Sequence, residues 1–310
     1  MEFKHISVLF DEVIDSLDLQ RGGIFADGTL GGGGHTSGIL SANENTRVIG
    51  IDRDTDALAA AGERLSKYSN RFTAVHDNFS NIKNILERLG IDGIDGAVLD
   101  LGVSSYQLDE AERGFSYMHD APLDMRMNRE DTLTAYDVVN TYTPENLTDI
   151  FYKYGEEKWS KRIAEFIEKE RKKQPIKTTG ELADIISAAI PKGARADGGH
   201  PAKRVFQAIR IEVNGELKIL EKAVFDFADC LNSGARLAII TFHSLEDRIV
   251  KNTFRTLCTG CICPKSFPVC VCGHTASGKL LTKKPILPSK REQEENPRSK
   301  SAKLRVFIKN

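Results

Sequence analysis

No apolar run in the sequence approaches the roughly 20 residues of a membrane-spanning helix, so no helical span is expected. The opening MEFKHISVLFDEVIDSLDL carries acids within its apolar stretch and lacks the form of a signal peptide. The cytoplasm is therefore the expected compartment. Cysteine is scarce, six in 310 residues, and five of the six crowd into residues 258–272. That spacing is too tight for a secreted disulfide framework. Internal repeats and long low-complexity linkers are absent as well. What remains is a chain of ordinary globular composition, 40% hydrophobic and 28% charged. Its length suits one large domain, or one domain carrying an insertion.

Net charge is nearly absent at −1, but the two signs are separated along the chain. Residues 1–152 carry −14, residues 153–210 carry +6 and residues 279–310 carry +7. Opposite charge in separate blocks points to a polyanionic partner for the basic ones. Solvated helix faces and a polar tail are the alternative reading.

Short apolar or β-branched runs recur at GIFAD (23–27), RVIGID (47–52), FTAVHD (72–77) and GAVLDL (96–101). Segments of helical character separate them, as at 55–68, which is the rhythm of a parallel, doubly wound sheet. The rhythm then stops for about a hundred residues. Within that gap Thr143 has the place of a helix cap, with Pro144 at the first helical position. Trp159, Ile163, Phe166 and Ile167 mark a second amphipathic helix. Thr178 and Glu181 have capping-box spacing at the head of a third. A long helical segment over 203–232 follows, then strands ARLAIITF (235–242) and LRVFIK (304–309). The expected architecture is an α/β sheet interrupted after its fourth strand by an all-helical module. The sheet-bearing domain is expected over 1–107 and 206–310, and the inserted helical domain over 108–205.

The stretch FADGTLGGGGHTSGIL (25–40) places five glycines in seven positions directly after an aspartate. It follows a strand and opens a helix, the place where such sheets bind ligands. A P-loop is excluded because the segment has no lysine, and G-x-G-x-x-G fails in every register. The D-x-G-x-x-G-x-G type of loop, which class I methyltransferases use for S-adenosylmethionine, suits Asp27, Gly31 and Gly33. A strand-end acid follows at Asp52, placed to accept hydrogen bonds from both hydroxyls of a ribose. A bare strand-to-helix turn explains five glycines poorly, because each costs chain entropy.

DGTLGGGGHTSGIL, GIDRD, LDLGVSSYQLDEAERGFSYM, APLDMRMN, YGEEKWSKRIA, VFQAIRIEVNGEL, FHSLEDRIVK and ENPRSKSAKLR together resemble the bacterial RsmH family, also called MraW. The matching blocks run in order from Lys4-His5 to Arg305. The resemblance implies a class I (Rossmann-like) fold and S-adenosylmethionine-dependent methylation of the N4 amine of one cytosine in small-subunit ribosomal RNA. It places Gly33, Gly34 and His35 at the methionyl end of the cofactor, Asp52 on the ribose and Phe79 near the adenine. Asp100 and Gln107 fall at the remaining cofactor contacts. Tyr106 stands where the family leads one to expect proline.

The N4 lone pair of cytosine is delocalised into the ring, so the reaction needs an acceptor for the amine proton and in-line positioning of the methyl group. DLGVSS occupies the place where amino-methyltransferases keep an acid-or-amide Pro-Pro motif, yet no Pro-Pro occurs in the sequence. Asp100 and Ser104 are the candidate acceptors. Asp124 and Arg126 in PLDMRM, and His243 in FHSLED, are candidates for holding the base. The other reading of His243 is a side chain fixed by Glu246 at a strand end. The helical insertion and the basic tail are expected to grip RNA, naked or in the assembled small subunit. In CTGCICPKSFPVCVCG, Cys261, Cys263, Cys270 and Cys272 form two close pairs that suit either a structural zinc or a loop of reduced thiols. Two other functions share these features: an RNA-binding protein on a methyltransferase fold, and methylation of a different RNA base.

Overall fold

The computed structural model describes residues 7–194, 200–261, 263–264 and 267–310. Lys4 and His5, where the family-like blocks begin, lie outside the described residues. The expected apolar runs form strands β1 (Gly23–Asp27), β2 (Thr46–Asp52), β3 (Phe72–His76), β4 (Ile94–Asp100) and β5 (Leu231–Thr241). Two more complete the sheet, β6 (Gly278–Leu280) and β7 (Lys303–Lys309), in the order β3-β2-β1-β4-β5-β7-β6. The β1–β5 pairings are parallel, whereas β7 is antiparallel to both β5 and β6. The parallel rhythm read from the first four strands holds, and the sheet is mixed at one edge, where antiparallel neighbours need no crossover helix.

Why the strands read as unbroken apolar runs is clear from the two faces. Phe25, Val48, Val98 and Ile240 enter one core cluster, and Ala26, Ile49, Leu99 and Ile239 enter the other. With a side-chain period of two, both faces are buried, and polar residues have no place until a strand ends. Aspartates close three neighbouring strands, Asp27 on β1, Asp52 on β2 and Asp100 on β4. β1 lies between β2 and β4, so the chain order reverses at its carboxyl end, the crevice where open α/β sheets hold ligands.

The chain divides into two compact units, residues 1–102 with 217–310, and residues 103–216. The helix Lys203–Asn214, split by the expected boundary at 205/206, belongs wholly to the second. Its Val205, Ala208 and Ile209 are buried in the same cluster as Leu147, Phe151, Ile163 and Leu182. The expected single helix over 203–232 is two, Lys203–Asn214 and Glu216–Cys230. Gly215 separates them at φ 62, a left-handed conformation that glycine tolerates. Within the second unit the caps form as spaced: Thr143 accepts from the Asn146 N–H, and Thr178 and Glu181 make a reciprocal box.

One buried side chain fixes an irregular segment of this unit. Met125 is fully buried at φ 59, a left-handed conformation that is strained for a side chain of its size. Asn214 Oδ1 accepts the Met127 N–H at 2.8 Å, and its Nδ2 donates to the Met125 and Arg210 carbonyls at 2.8 Å each. Asn214→Ala strips partners from these groups, and the expected loss is about 2–4 kcal/mol of stability. Denaturant unfolding of the full chain measures it. A change below roughly 0.5 kcal/mol would mean that water replaces the amide without cost.

Candidate active site

Asp27 closes β1 with 1% of its surface exposed. Its Oδ2 accepts from the Thr36 hydroxyl at 2.7 Å and its Oδ1 from the Thr29 N–H at 3.2 Å. The Thr29 hydroxyl in turn accepts the Asp100 N–H at 2.6 Å, which ties the glycine loop to the end of β4. Gly33 caps the helix Gly34–Ala42 at φ 72. A Cβ on Gly34 would lie 1.9 Å from the Ser7 hydroxyl oxygen, so no side chain fits there. Gly32 is different: a Cβ there meets nothing within 4 Å, and its φ is not positive. The described chain itself does not demand glycine at that position. Open space over the loop leaves room there for a ligand to approach the backbone closely.

Asp52, at the end of β2, accepts the Gly31 N–H at 2.8 Å and the Asp54 N–H at 2.9 Å on different oxygens. Each oxygen keeps one lone pair for a further donor. Burial raises its pKa above the ordinary value despite these bonds. Phe79 opens a short 3-10 turn after β3 and is half-buried, its Cβ against Gly28. His35 is buried, with Nε2 against the Val8 carbonyl at 3.1 Å and Nδ1 3.9 Å from Asp100 Oδ2.

Asp100 is strongly perturbed. Burial first, then the neighbouring carboxylates of Asp27 and Glu246, push its pKa up to about 8. A quarter of its side chain (26%) is exposed, but Oδ1 is buried without a hydrogen-bond partner among the described residues. Burial likewise raises Asp27 to about 6, against the bonds from Thr36 and Thr29. Carboxyl groups desolvated beside each other favour a cationic ligand.

His243, expected to hold a base, is otherwise engaged. It caps the helix Ser244–Leu257, with Nδ1 3.4 Å from the Glu246 N–H and Nε2 3.1 Å from Glu246 Oε1. Glu246 Oε2 also accepts the Phe242 N–H at 2.9 Å. Both ring nitrogens lie close to Glu246, the arrangement of a strand-end histidine fixed by that glutamate, although Nε2 is buried without a hydrogen-bond partner among the described residues.

The remaining expected residues lie in the helical unit. Ser104 and Gln107 form a reciprocal capping box at the helix Ser105–Asp109, each side chain taking the other's backbone N–H at 3.1 Å. Gln107 is only 4% exposed. Arg126 grips Asp124 through Nε at 2.8 Å and Nη2 at 2.7 Å, and donates from Nη1 to the Arg129 and Asp131 carbonyls. Four of its five donors thus staple its own loop. A cleft of about 400 Å³ in the same unit is lined by Lys158, Trp159, Lys161, Arg162, Glu165 and Phe166. Cations interleaved with aromatics were not singled out as a set from the sequence, although WSKRIAEF spaces them on one helical face.

The raised acid makes stability depend on pH in a stated direction. An unfolded Asp100 ionises near the ordinary aspartate value of 3.8 and the folded one at about 8, so the folded state holds the extra proton between them. Ligand-free stability from this group is therefore full below about pH 4 and lost as pH rises toward about 8. Asp100→Asn should be increasingly more stable than the parent across that window, by at most about 1.4 kcal/mol per pH unit. Melting curves of both proteins at a series of pH values test this. Parallel profiles would place the Asp100 carboxyl in an ordinary aqueous setting.

Relatives place this geometry in a lineage. A family model described as the MraW methylase family matches residues 2–310. The "Ribosomal RNA small subunit methyltransferase H" of Clostridium botulinum (strain Loch Maree / Type A3) is 61% identical over 310 residues, covering 100% of both chains. The protein of the same name from Clostridioides difficile (strain 630) is 56% identical over 310 residues, again covering 100% of both. With strand-end acids, glycine loop and full-length similarity in agreement, the chain belongs to the MraW methylase family.

Proposed function

We propose that this chain is an S-adenosylmethionine-dependent methyltransferase acting on the N4 amine of a cytosine in small-subunit ribosomal RNA. The observation that carries the reading is Asp100: a desolvated carboxyl with an unpartnered oxygen, beside the glycine loop and within one sheet of Asp27 and Asp52. Membership of a methylase family and the names of its relatives support the reaction class and the RNA.

The residues fit the cofactor. Gly33, Gly34 and His35 open a nine-residue helix whose N-terminal N–H groups suit the methionyl carboxylate. Asp52 keeps a lone pair on each oxygen for the ribose hydroxyls, and Phe79 offers an apolar wall for the adenine. When bound, S-adenosylmethionine supplies an electrophilic methyl group on a positively charged sulfur. Asp100 is protonated near neutral pH without a ligand and so has no basic oxygen to offer. A cation beside it favours the ionised form, and the freed carboxylate accepts a proton from the amine. Ser104 Oγ accepts the Gln107 N–H and retains one lone pair, which leaves it the weaker candidate. Gln107 supports the cofactor end through the segment it caps.

RNA falls to the helical unit in this reading, where Trp159 and Phe166 stand among Lys158, Lys161 and Arg162. Aromatic faces with cations between them suit unstacked bases and their phosphates. Lys172 and Lys173 are less suited, since each is paired with a glutamate of its own helix, Glu168 and Glu170. The substrate is the RNA in an unmodified small subunit, in the cytoplasm. The zinc expected from the sequence is a fold-holding ion here and takes no part in the transfer.

Labelled S-adenosylmethionine mixed with unmodified small subunits, followed by digestion, should yield N4-methylcytidine. Asp100→Asn should lower single-turnover methylation at saturating cofactor by about 100-fold or more. Label in any other nucleoside, or none, would overturn the assignment.

Binding alone offers a second check. Near pH 7 the charged cofactor should displace a proton from Asp100, whereas S-adenosylhomocysteine, which lacks the sulfonium charge, should displace less. Calorimetry in buffers of different ionisation enthalpy reads the proton count. Equal release for both ligands, or release unchanged in Asp100→Asn, would remove Asp100 from the sulfonium site.

A further inference from the structure

The segment from Cys258 to Ser277 joins the helix Ser244–Leu257 to β6 without forming a regular element among its described residues. Connections of that length seldom lack structure unless something holds them. An apolar core does not. None of the described residues between 259 and 277 belongs to a hydrophobic cluster, and Phe267, Val269 and Val271 are 51%, 70% and 73% exposed.

What converges instead is sulfur. The Sγ atoms of Cys261, Cys263, Cys270 and Cys272 all lie within 4.8 Å of one another, and all are free thiols. Cys270 and Cys272 Sγ are 3.5 Å apart, and Cys272 and Cys261 Sγ 3.8 Å. Four sulfurs bound tetrahedrally at about 2.3 Å from a metal have edges of about 3.8 Å. The backbone N–H groups of Cys263 and Val271 donate to Cys261 Sγ and Cys263 Sγ at 3.4 Å each, bonds that disperse thiolate charge. Cys258 stands apart: it follows the helix Ser244–Leu257 and packs half-buried against the sheet.

We propose that Cys261, Cys263, Cys270 and Cys272 bind one structural zinc ion, which closes the 261–272 loop in place of an apolar core. Four soft sulfur ligands with no open position select zinc over hard cations and leave no site for a reacting water. Binding replaces the four thiol protons, which are released to solvent. The proposal does not rest on the methyl-transfer reaction, and its test does not read activity.

The test uses the full chain, expressed with added zinc and purified without chelator. Elemental analysis should find one zinc per chain. Titration with an organomercurial should release it to a chromogenic chelator as four thiols react. Cys258→Ala should keep the metal, and Cys261→Ser with Cys272→Ser should lose it. Should the double variant fail to fold, the mercurial titration of the parent protein decides alone. Metal-free protein whose four loop thiols react at once with a disulfide reagent overturns the proposal, as does stoichiometric iron instead of zinc.

Discussion

Asp27 sits in the interior of the sheet-bearing unit, yet it is a carboxyl group, and its burial organises the strand ends around it. Taking such a group out of water is unfavourable unless donors replace the lost hydration. Thr36 and the Thr29 backbone do so, and in doing so they draw the glycine loop and the first turn of its helix onto the end of β1. Thr29 then reaches across to the Asp100 backbone. One desolvated acid therefore sets the relative positions of loop, helix and fourth strand. The raised pKa of Asp100 follows from the same crowding, because a second carboxyl is placed where the first already excludes water.

The helical unit solves a different problem. Its irregular stretch around Met125 carries a left-handed residue and is held from two sides, by Asn214 and by the Arg126–Asp124 staple. Side chains with charge and amide groups are used there to fix backbone. Elsewhere in the unit, the helix opening after Trp159 sets cations and rings along one cleft.

Much of the fold was legible because buried strands leave strong traces. Continuous apolar runs located six strands, β1 to β5 and β7, and the aspartates that close three of them. β6 was invisible: GKL is three residues long and is a strand only because β7 pairs with it. The direction of β7 was equally hidden, since strand direction is a property of the partners and not of LRVFIK. At the site, the acids were legible as strand-end groups. Ser104 with Gln107 and His243 with Glu246 have the spacing i and i+3 of a helix start, and both pairs form capping boxes. For His243 that spacing was one of the two readings the sequence offered, because a polar side chain at such a position can serve a cap or a ligand alike. Gly215, in an Asn-Gly pair, was likewise a readable helix break within 203–232.

The strand order carries a consequence for how the chain is made. β7 follows the other six strands in the chain, yet it lies between β5 and β6, so the sheet acquires an interior strand only when residue 309 has appeared. The helical unit, by contrast, is one uninterrupted stretch of 114 residues, 103–216, flanked by the two halves of its neighbour. On the ribosome its contacts need no residue beyond 216, whereas the sheet waits for a sequence-distant piece, and pairing of that kind is the slower step.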